Sequence, residues 1–293
     1  MSLGLHRAPW ATGIKSLQGA PSGSPQFFFH EPTPRYPASM ATDPDPILAH
    51  LAAHTSVRSF TADELPAADL ERAVAAAQMA STSSHVQAYS VLRVTDAAER
   101  ARLAELCGGQ RQVAEAGAFL VVCGEVRRHR LAAGRAGQPL ARNLEAFLLA
   151  VIDASLFAQN LALALEALGY GICYIGGLRS DIEAVDDLLE LPYDVFPLFG
   201  LCAGTPAELP DEHPAKPVPR PRLPVHGVLF EGRYPDEPTT LAAMDEHDAV
   251  MEEHYAARGK AGHTWTGGLV RRNSRPMREQ LAGYYRTKGA VLD

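Results

Sequence analysis

A mixed α and β fold is the class this sequence predicts, on three observations. Helical and strand-like patterns alternate from residue 43 onward. The run 118–123 (AFLVVC) is apolar, uncharged and short, as a buried strand is. The segment Leu140 to Leu168 is a helix pattern that is apolar nearly all round, so it requires burial on most sides.

The elements follow in order. Residues 1–43 are rich in Gly, Pro and Ser, hold Glu31 as the only acid before Asp43, and precede the first Val, Val57. That composition predicts a disordered arm. It bears Arg and Ser but shows no basic amphipathic helix of the transit-peptide kind, and Met40 is a candidate initiator just before the first helix. Asp43 is placed to cap a helix through His54, with Pro44 at its first position. Leu65 to Ala80 reads as a second helix, with Leu70, Val74 and Ala77 at helical spacing. Ala88 to Val94 is a strand, and Ala97 to Cys107 a helix stopped by Gly108-Gly109. After the strand at 118–123, the long helix 140–168 ends at Gly169 in a left-handed cap. Tyr170 to Ile175 is a strand, Asp181 to Leu191 a helix, and Phe196 to Ala203 a strand. The proline-rich stretch 205–224 reads as an extended arm. Thr239 to Ala257 is helical again, and a polar tail follows. The expected organisation is an arm over 1–43, a core over 44–204, and an extended arm with a helical excursion over 205–293.

Composition narrows the function. The chain has 293 residues, 46% hydrophobic and 21% charged, as in an ordinary globular protein. A net charge of −7 argues against a general nucleic-acid surface. Asp153, Gln159, Asn160 and Glu166 interrupt the most apolar segment, so no membrane span is expected. The four cysteines, Cys107, Cys123, Cys173 and Cys202, form no CxxC pair and lie mostly in apolar runs. They are expected to be reduced and structural in a cytoplasmic protein, with no metal site.

Four clusters carry candidate chemistry. His54-Thr55-Ser56-Val57-Arg58 sets hydrogen-bonding side chains and a cation just past a helix end, which suits a phosphate and its polyol chain. Ser81-Thr82-Ser83-Ser84-His85-Val86-Gln87 is a small, hydroxyl-rich run that lets backbone approach a planar ligand. Gly108-Gly109-Gln110 is a turn whose glutamine can read the edge of a heterocycle. Tyr174-Ile175-Gly176-Gly177-Leu178-Arg179 places paired glycines at a strand's carboxyl end, where N–H groups approach a ligand closely. Each cluster also admits a plain structural reading as a polar loop, a helix stop or a turn. Arg220 and Arg222, one residue apart on an extended chain, project to one side as a phosphate clamp would.

Taken together, HTSVRSFT at 54–61, STSSHVQ at 81–87, GGQ at 108–110, YIGGLR at 174–179, FPLFGLCAGTP at 196–206, PRLP at 221–224, RG at 258–259 and HTW at 263–265 resemble the oxygen-insensitive NADPH nitroreductase and flavin reductase family. The resemblance runs from about Pro44 to the C-terminus. It implies an α+β sandwich around a mainly antiparallel sheet, dimerised through long helices, with FMN in a groove at the dimer interface. On that resemblance His54, Ser56 and Arg58 hold FMN, with Thr55 where the family usually has arginine. Thr82 and Ser84 line the ring, and Gln110 meets its polar edge. Tyr174, Ile175, Gly176 and Gly177 face the dimethylbenzene-to-N5 side through backbone groups. Arg220 and Arg222 bind the phosphate. The family usually has lysine at Arg220, and extra residues around 215–219 leave Lys216 as the alternative. Arg258 matches the residue that takes the 2′-phosphate of NADPH, in a basic run shortened here to Lys260 and His263, so NADH stays open as a donor.

The implied reaction is ping-pong: a hydride from NAD(P)H to flavin N5, then two electrons to a small-molecule oxidant such as a nitroaromatic, a quinone or free flavin. The flavin supplies the chemistry and no side chain is needed as a catalytic acid or base. The alternatives are a flavoenzyme of the same fold with other chemistry and a non-catalytic flavin-binding protein.

Overall fold

The computed structural model of the protein describes residues 45–210, 213 and 216–292. The N-terminal arm, Met40 and the Asp43-Pro44 helix start lie outside those residues. Helix α1 spans Asp45–Ala52. Helix α2, Ala67–Ala77, starts after Pro66 and buries Ala73 and Ala77. Both end short of the predicted bounds at His54 and Ala80. Strand β1 (Tyr89–Val94) leads to α3 (Ala97–Leu106). The Asp96 side chain accepts the Glu99 N–H as its cap, and Gly108 and Gly109 stop it with positive φ. A single turn, α4 (Gln112–Glu115), precedes β2 (Ala118–Glu125), and α5 (Arg127–Arg135) follows. Neither short helix has a periodic apolar signal in the sequence. The chain continues through α6 (Leu144–Ala167), β3 (Gly171–Ile175), α7 (Ile182–Leu189) and β4 (Val195–Gly204). The last helices are α8 (Glu237–Ala256), α9 (Trp265–Asn273) and α10 (Leu281–Thr287).

The four strands form one sheet in the order β1-β2-β4-β3. Every neighbouring pair is antiparallel, so the class is the α+β sandwich expected from the resemblance. The apolar run of β2 has no alternation because both of its faces are covered. Ala118, Leu120 and Val122 face a core shared with α2 and α6. Phe119, Val121 and Cys123 face a second core with α3, α4 and α7. The four cysteines are all buried and free.

Helix α6 departs from its prediction at its start. It starts at Leu144 rather than Leu140, because the Asn143 side chain accepts the Ala146 N–H at 3.0 Å and caps it there. Within one copy of the chain, one side of it is buried. Ala150, Ala154, Phe157, Ala158, Leu161 and Leu165 pack on the sheet, and Phe157 stacks on Tyr89 at 4.4 Å. Leu144, Leu148, Ile152 and Leu156, one turn apart, are 40–50% exposed and form an apolar stripe. Its end is as predicted: Gly169 takes φ +90°, and the Tyr170 N–H reaches Leu165 O at 3.0 Å. By length and apolar content α6 alone among the described helices is able to cross a bilayer; here it lies across the sheet.

The tail beyond α8 is not simply polar. Helix α10 returns to the first core with Tyr284 and Tyr285 buried. Tyr285 Oη donates to Pro197 O at 2.8 Å, and Lys288 Nζ to Asp186 and to Leu191 O. Asp194, fully buried, accepts from Arg130 Nε at 2.6 Å and from Arg142 Nη1 at 2.6 Å, while its own N–H bonds to Lys288 O. This clasp draws Arg142 out of the helix pattern and ties the C-terminus to the sheet. Residues Asp45–Asp293 thereby form one compact unit.

Candidate active site

The first predicted cluster is laid along the sheet's edge. Ser56 pairs with Ile172 in a parallel bridge, and the Val57 N–H reaches Ile172 O at 2.9 Å. Val57 packs so closely on Gly171 that a Cβ there would lie 2.6 Å from its methyl. Only glycine permits this approach, which fixes the height of the whole segment over β3. His54 Nδ1 stands 2.7 Å from Glu166 Oε1, near the end of α6. Arg58 is exposed, with Nη1 donating to Ser56 O at 3.4 Å.

This ledge forms one wall of a cleft of about 540 Å³. The opposite walls come from the proline-rich arm and the end of α8. His54, Thr55, Ser56 and Arg58 therefore share one space with Lys216, Arg220, Arg222, Arg258 and Lys260. Arg222 Nη1 donates to Arg220 O at 3.0 Å, and Arg258 Nη2 to Lys216 O at 3.0 Å, so the two basic segments are in contact. Both candidates for the phosphate contact, Lys216 and Arg220, line the cleft. The described lining holds six Arg and Lys residues and no Asp or Glu. In a chain of net charge −7, this is a concentrated positive field, the setting for a bound anion.

Among the lining residues that were not anticipated are His254 and Tyr255. They precede Arg258 by four and three positions, so the last helical turn puts them on its side. Burial pushes the His254 imidazole below its usual pKa, helped by the neighbouring Arg258 and Arg220 charges. His263 lies against the Tyr255 ring, 6.0 Å between centroids, rather than in the lining. Glu166 is the other omission, since in sequence it only breaks an apolar run.

The remaining predicted residues lie outside the cleft. Thr82 and Ser84 belong to the loop between α2 and β1, where Ser83–His85 form a 3-10 turn anchored to the middle of α6. Gln110 spends its amide inside the protein: Nε2 donates to Cys107 O at 2.8 Å, and Oε1 accepts from Gln112 at 3.1 Å. A Cβ on Gly177 would come within 2.4 Å of both Gln110 Nε2 and Cys107 O. The GGQ and YIGGLR motifs are thus brought together, and the second glycine is set by that contact. Tyr174 packs edge-on against Phe199 at 5.4 Å, and burial raises its phenol pKa, with Glu166 adding to the rise. Ile175 is buried. Gly176–Arg179 form a 3-10 turn, and Arg179 at its end borders a second hollow of about 510 Å³ with Arg272, Arg275 and Arg278.

Comparisons with known proteins show the family of this chain. The model described as "Nitroreductase family" matches residues 51–205, and that described as "Nitroreductase family, C-terminal domain" matches residues 220–293. The chain is 38% identical over 242 residues to the FMN reductase (NADPH) of Bacillus subtilis, covering 80% of this chain and 94% of that protein. It is 38% identical over 246 residues to the oxygen-insensitive NADPH nitroreductase of Salmonella typhimurium, covering 83% and 98%. The solved structure of B. megaterium NfrA1 matches with a TM-score of 0.79 at 36% identity, over 85% of this chain and all of that one. From its first predicted ledge to its C-terminal helix, the chain belongs to the nitroreductase family.

Proposed function

We propose that this protein is an FMN-dependent NAD(P)H oxidoreductase that reduces small-molecule oxidants such as nitroaromatics, quinones or free flavins. The observation that carries this reading is the cleft in which residues 54–58 meet 216–222 and 254–260. Its donor set fits FMN: guanidinium groups for the phosphate, and hydroxyl and imidazole groups for the polyol chain. FMN, when bound, would supply the redox chemistry of a ping-pong two-electron transfer between NAD(P)H and the oxidant.

The chain's own residues bind and orient. Arg222, with Arg220 or Lys216, holds the FMN phosphate. His54 is steadied through Nδ1 by Glu166 and meets the ligand through the other side of its ring, beside Ser56. Arg58 stabilises negative charge on the ring's pyrimidine end, as a fixed charge does best in a partly dry site. Thr82 and Ser84 line the ring, Gln110 meets its polar edge, and Tyr174 to Gly177 offer backbone groups. Arg258, with Lys260 beside it, takes the 2′-phosphate of NADPH.

The active form in this reading is a homodimer. The stripe Leu144, Leu148, Ile152 and Leu156 gives an extended apolar face, and such faces mark association surfaces. The protein works in the cytoplasm, where buried reduced cysteines persist, without a nucleic-acid or membrane partner. The test is the visible spectrum of the purified protein after FMN addition. A flavin band that NADPH bleaches and a nitroaromatic or quinone restores is expected. A protein that takes up no FMN overturns the reading, and a monomer at micromolar concentration with FMN bound overturns the dimer.

A further inference from the structure

Asp153 sits in the middle of α6 with its side chain fully buried. Its Oδ1 accepts the Ser83 N–H at 3.1 Å, and its Oδ2 the Ala88 N–H at 3.0 Å. One carboxylate thus ties both ends of the loop between α2 and β1. Between those ties the backbone is held in uncommon conformations. Ser84, His85 and Gln87 have φ of +47°, +58° and +50°, and none is glycine. Non-glycine residues stay in the left-handed region only when their surroundings over-determine them. The loop is braced from a second side by α5, where His129 Nε2 meets Val86 O at 2.8 Å and Arg128 donates to the carbonyls of Gln87 and Tyr89. Ser83, Ser84 and His85 stay exposed at the top. A hydroxyl-bearing loop is therefore held in a strained form by groups beneath it and presents its side chains outward.

We infer that Asp153 is a positioning residue for the flavin: it fixes the Thr82 and Ser84 hydroxyls at the height the ring requires. It also links that loop to the apolar stripe, since Ile152, its neighbour in sequence, lies on the exposed face of α6. This rests on the reading above, in which Thr82 and Ser84 line the ring. Neither Asp153 nor the two N–H groups reach the ligand in this account. Their effect passes through the backbone of 83–88.

Two variants of the full chain test it from opposite ends. Asp153→Asn keeps the side-chain volume but turns an amide N–H₂ toward one of the two donors. Ser83→Pro removes one donor and buries nothing. Thr82 is already extended (ψ 151°) and Ser83 opens the helical turn, so proline suits the backbone there, while its ring takes the place of the N–H and pushes Asp153 Oδ1 away. Affinities for FMN and for riboflavin, which lacks the phosphate, are measured by quenching of flavin fluorescence, together with the visible circular dichroism of the bound flavin. Ser83→Pro is expected to weaken both flavins by a similar factor, about tenfold for a lost tie of ordinary strength, and to alter the dichroic band. Asp153→Asn should do the same where it folds. Arg222→Ala is the contrast, weakening FMN alone. If Ser83→Pro folds and binds both flavins with wild-type affinity and dichroism, the inference is wrong. It is equally wrong if FMN alone is weakened, because the tie would then serve the phosphate end. A wild-type protein that binds neither flavin removes the functional reading itself, and this inference with it.

Discussion

Two parts of the molecule gather arginine and do opposite things with it. Around Asp194, Arg130 and Arg142 close on a single buried carboxylate at 2.6 Å each. Both guanidiniums share one buried counter-charge within the fold, and the result is a clasp on the C-terminal segment. In the cleft, six Arg and Lys residues share a described lining that contains no acid. The protein's own response registers the difference. Hydrogen bonding to Asp194 raises the Arg142 pKa. In the cleft, after the effect of burial, Arg258 and Arg220 lower that of His254. A cation closed on a buried carboxylate stabilises the fold, and cations gathered along an open cleft suit the binding of an anion.

The largest expected effect breaks the matched side. Asp194→Asn removes the charge while keeping the shape, and asparagine tolerates the residue's φ of +71°. Breaking a buried pair costs about 3 kcal/mol, the low end of its range, since both arginines keep access to water. Urea unfolding should report that loss, with the flavin affinity of the folded protein unchanged. A change within about 0.5 kcal/mol, the range of an ordinary surface substitution, would mean the clasp is dispensable.

On the cleft side the signs reverse. Arg222→Ala should leave stability intact and weaken FMN by about 1.5–3 kcal/mol, the worth of a hydrogen bond to a charged group. Riboflavin affinity should not move. Equal losses for both flavins would place Arg222 away from the phosphate.

Arg258→Ala sharpens the comparison, because this residue also bonds Lys216 O and sits at a helix end, where a cation contributes about 0.3–1 kcal/mol through the helix dipole. As a 2′-phosphate ligand it should raise the Michaelis constant for NADPH much more than for NADH. Equal effects on the two donors in steady-state kinetics at matched ionic strength would leave it a purely structural role.

How much of this was legible in the sequence depends on how far apart the partners stand. The strands, the Gly108-Gly109 stop and the Gly169 stop are local and read directly. The basic cleft was legible as separate clusters, joined through the resemblance, and the fold brings residues 54–58 and 216–260 together. Asp153, Glu166 and Asp194 were not legible as determinants. Along the chain the first two only interrupt an apolar helix, and their partners are Ser83, Ala88 and His54, 65 or more positions away. Likewise α10 reads as polar because its two buried tyrosines are set among Arg, Thr and Lys. Gln110 was read as a ligand contact from its place after two glycines, and its structural contacts to Cys107 O and Gln112 were not legible there.

The smallest expected effect concerns protons. The folded pKa of His254 lies below its ordinary value, by burial first and then by Arg258 and Arg220. The folded protein therefore binds fewer protons here than the unfolded chain, and any contribution of this group to stability is present above the unfolded pKa and lost as pH falls through the folded one. An anion bound between His254 and its cationic neighbours offsets the repulsion and raises that pKa. Binding of NADP+ should then draw a proton onto His254, and affinity should rise as pH falls below about 6.5, the ordinary histidine value. The 2′-phosphate itself takes up a proton with pKa near 6, a phosphate monoester's second step, which works the other way. The measurement that isolates the histidine is a ratio: the NADP+ dissociation constant of His254→Gln over that of wild type, titrated from about pH 7.5 to 5.5. The phosphate contribution cancels in it. A ratio that grows toward low pH places His254 in the field of the bound phosphate. A flat ratio would put the anion elsewhere in the cleft, out of reach of the α8 terminus.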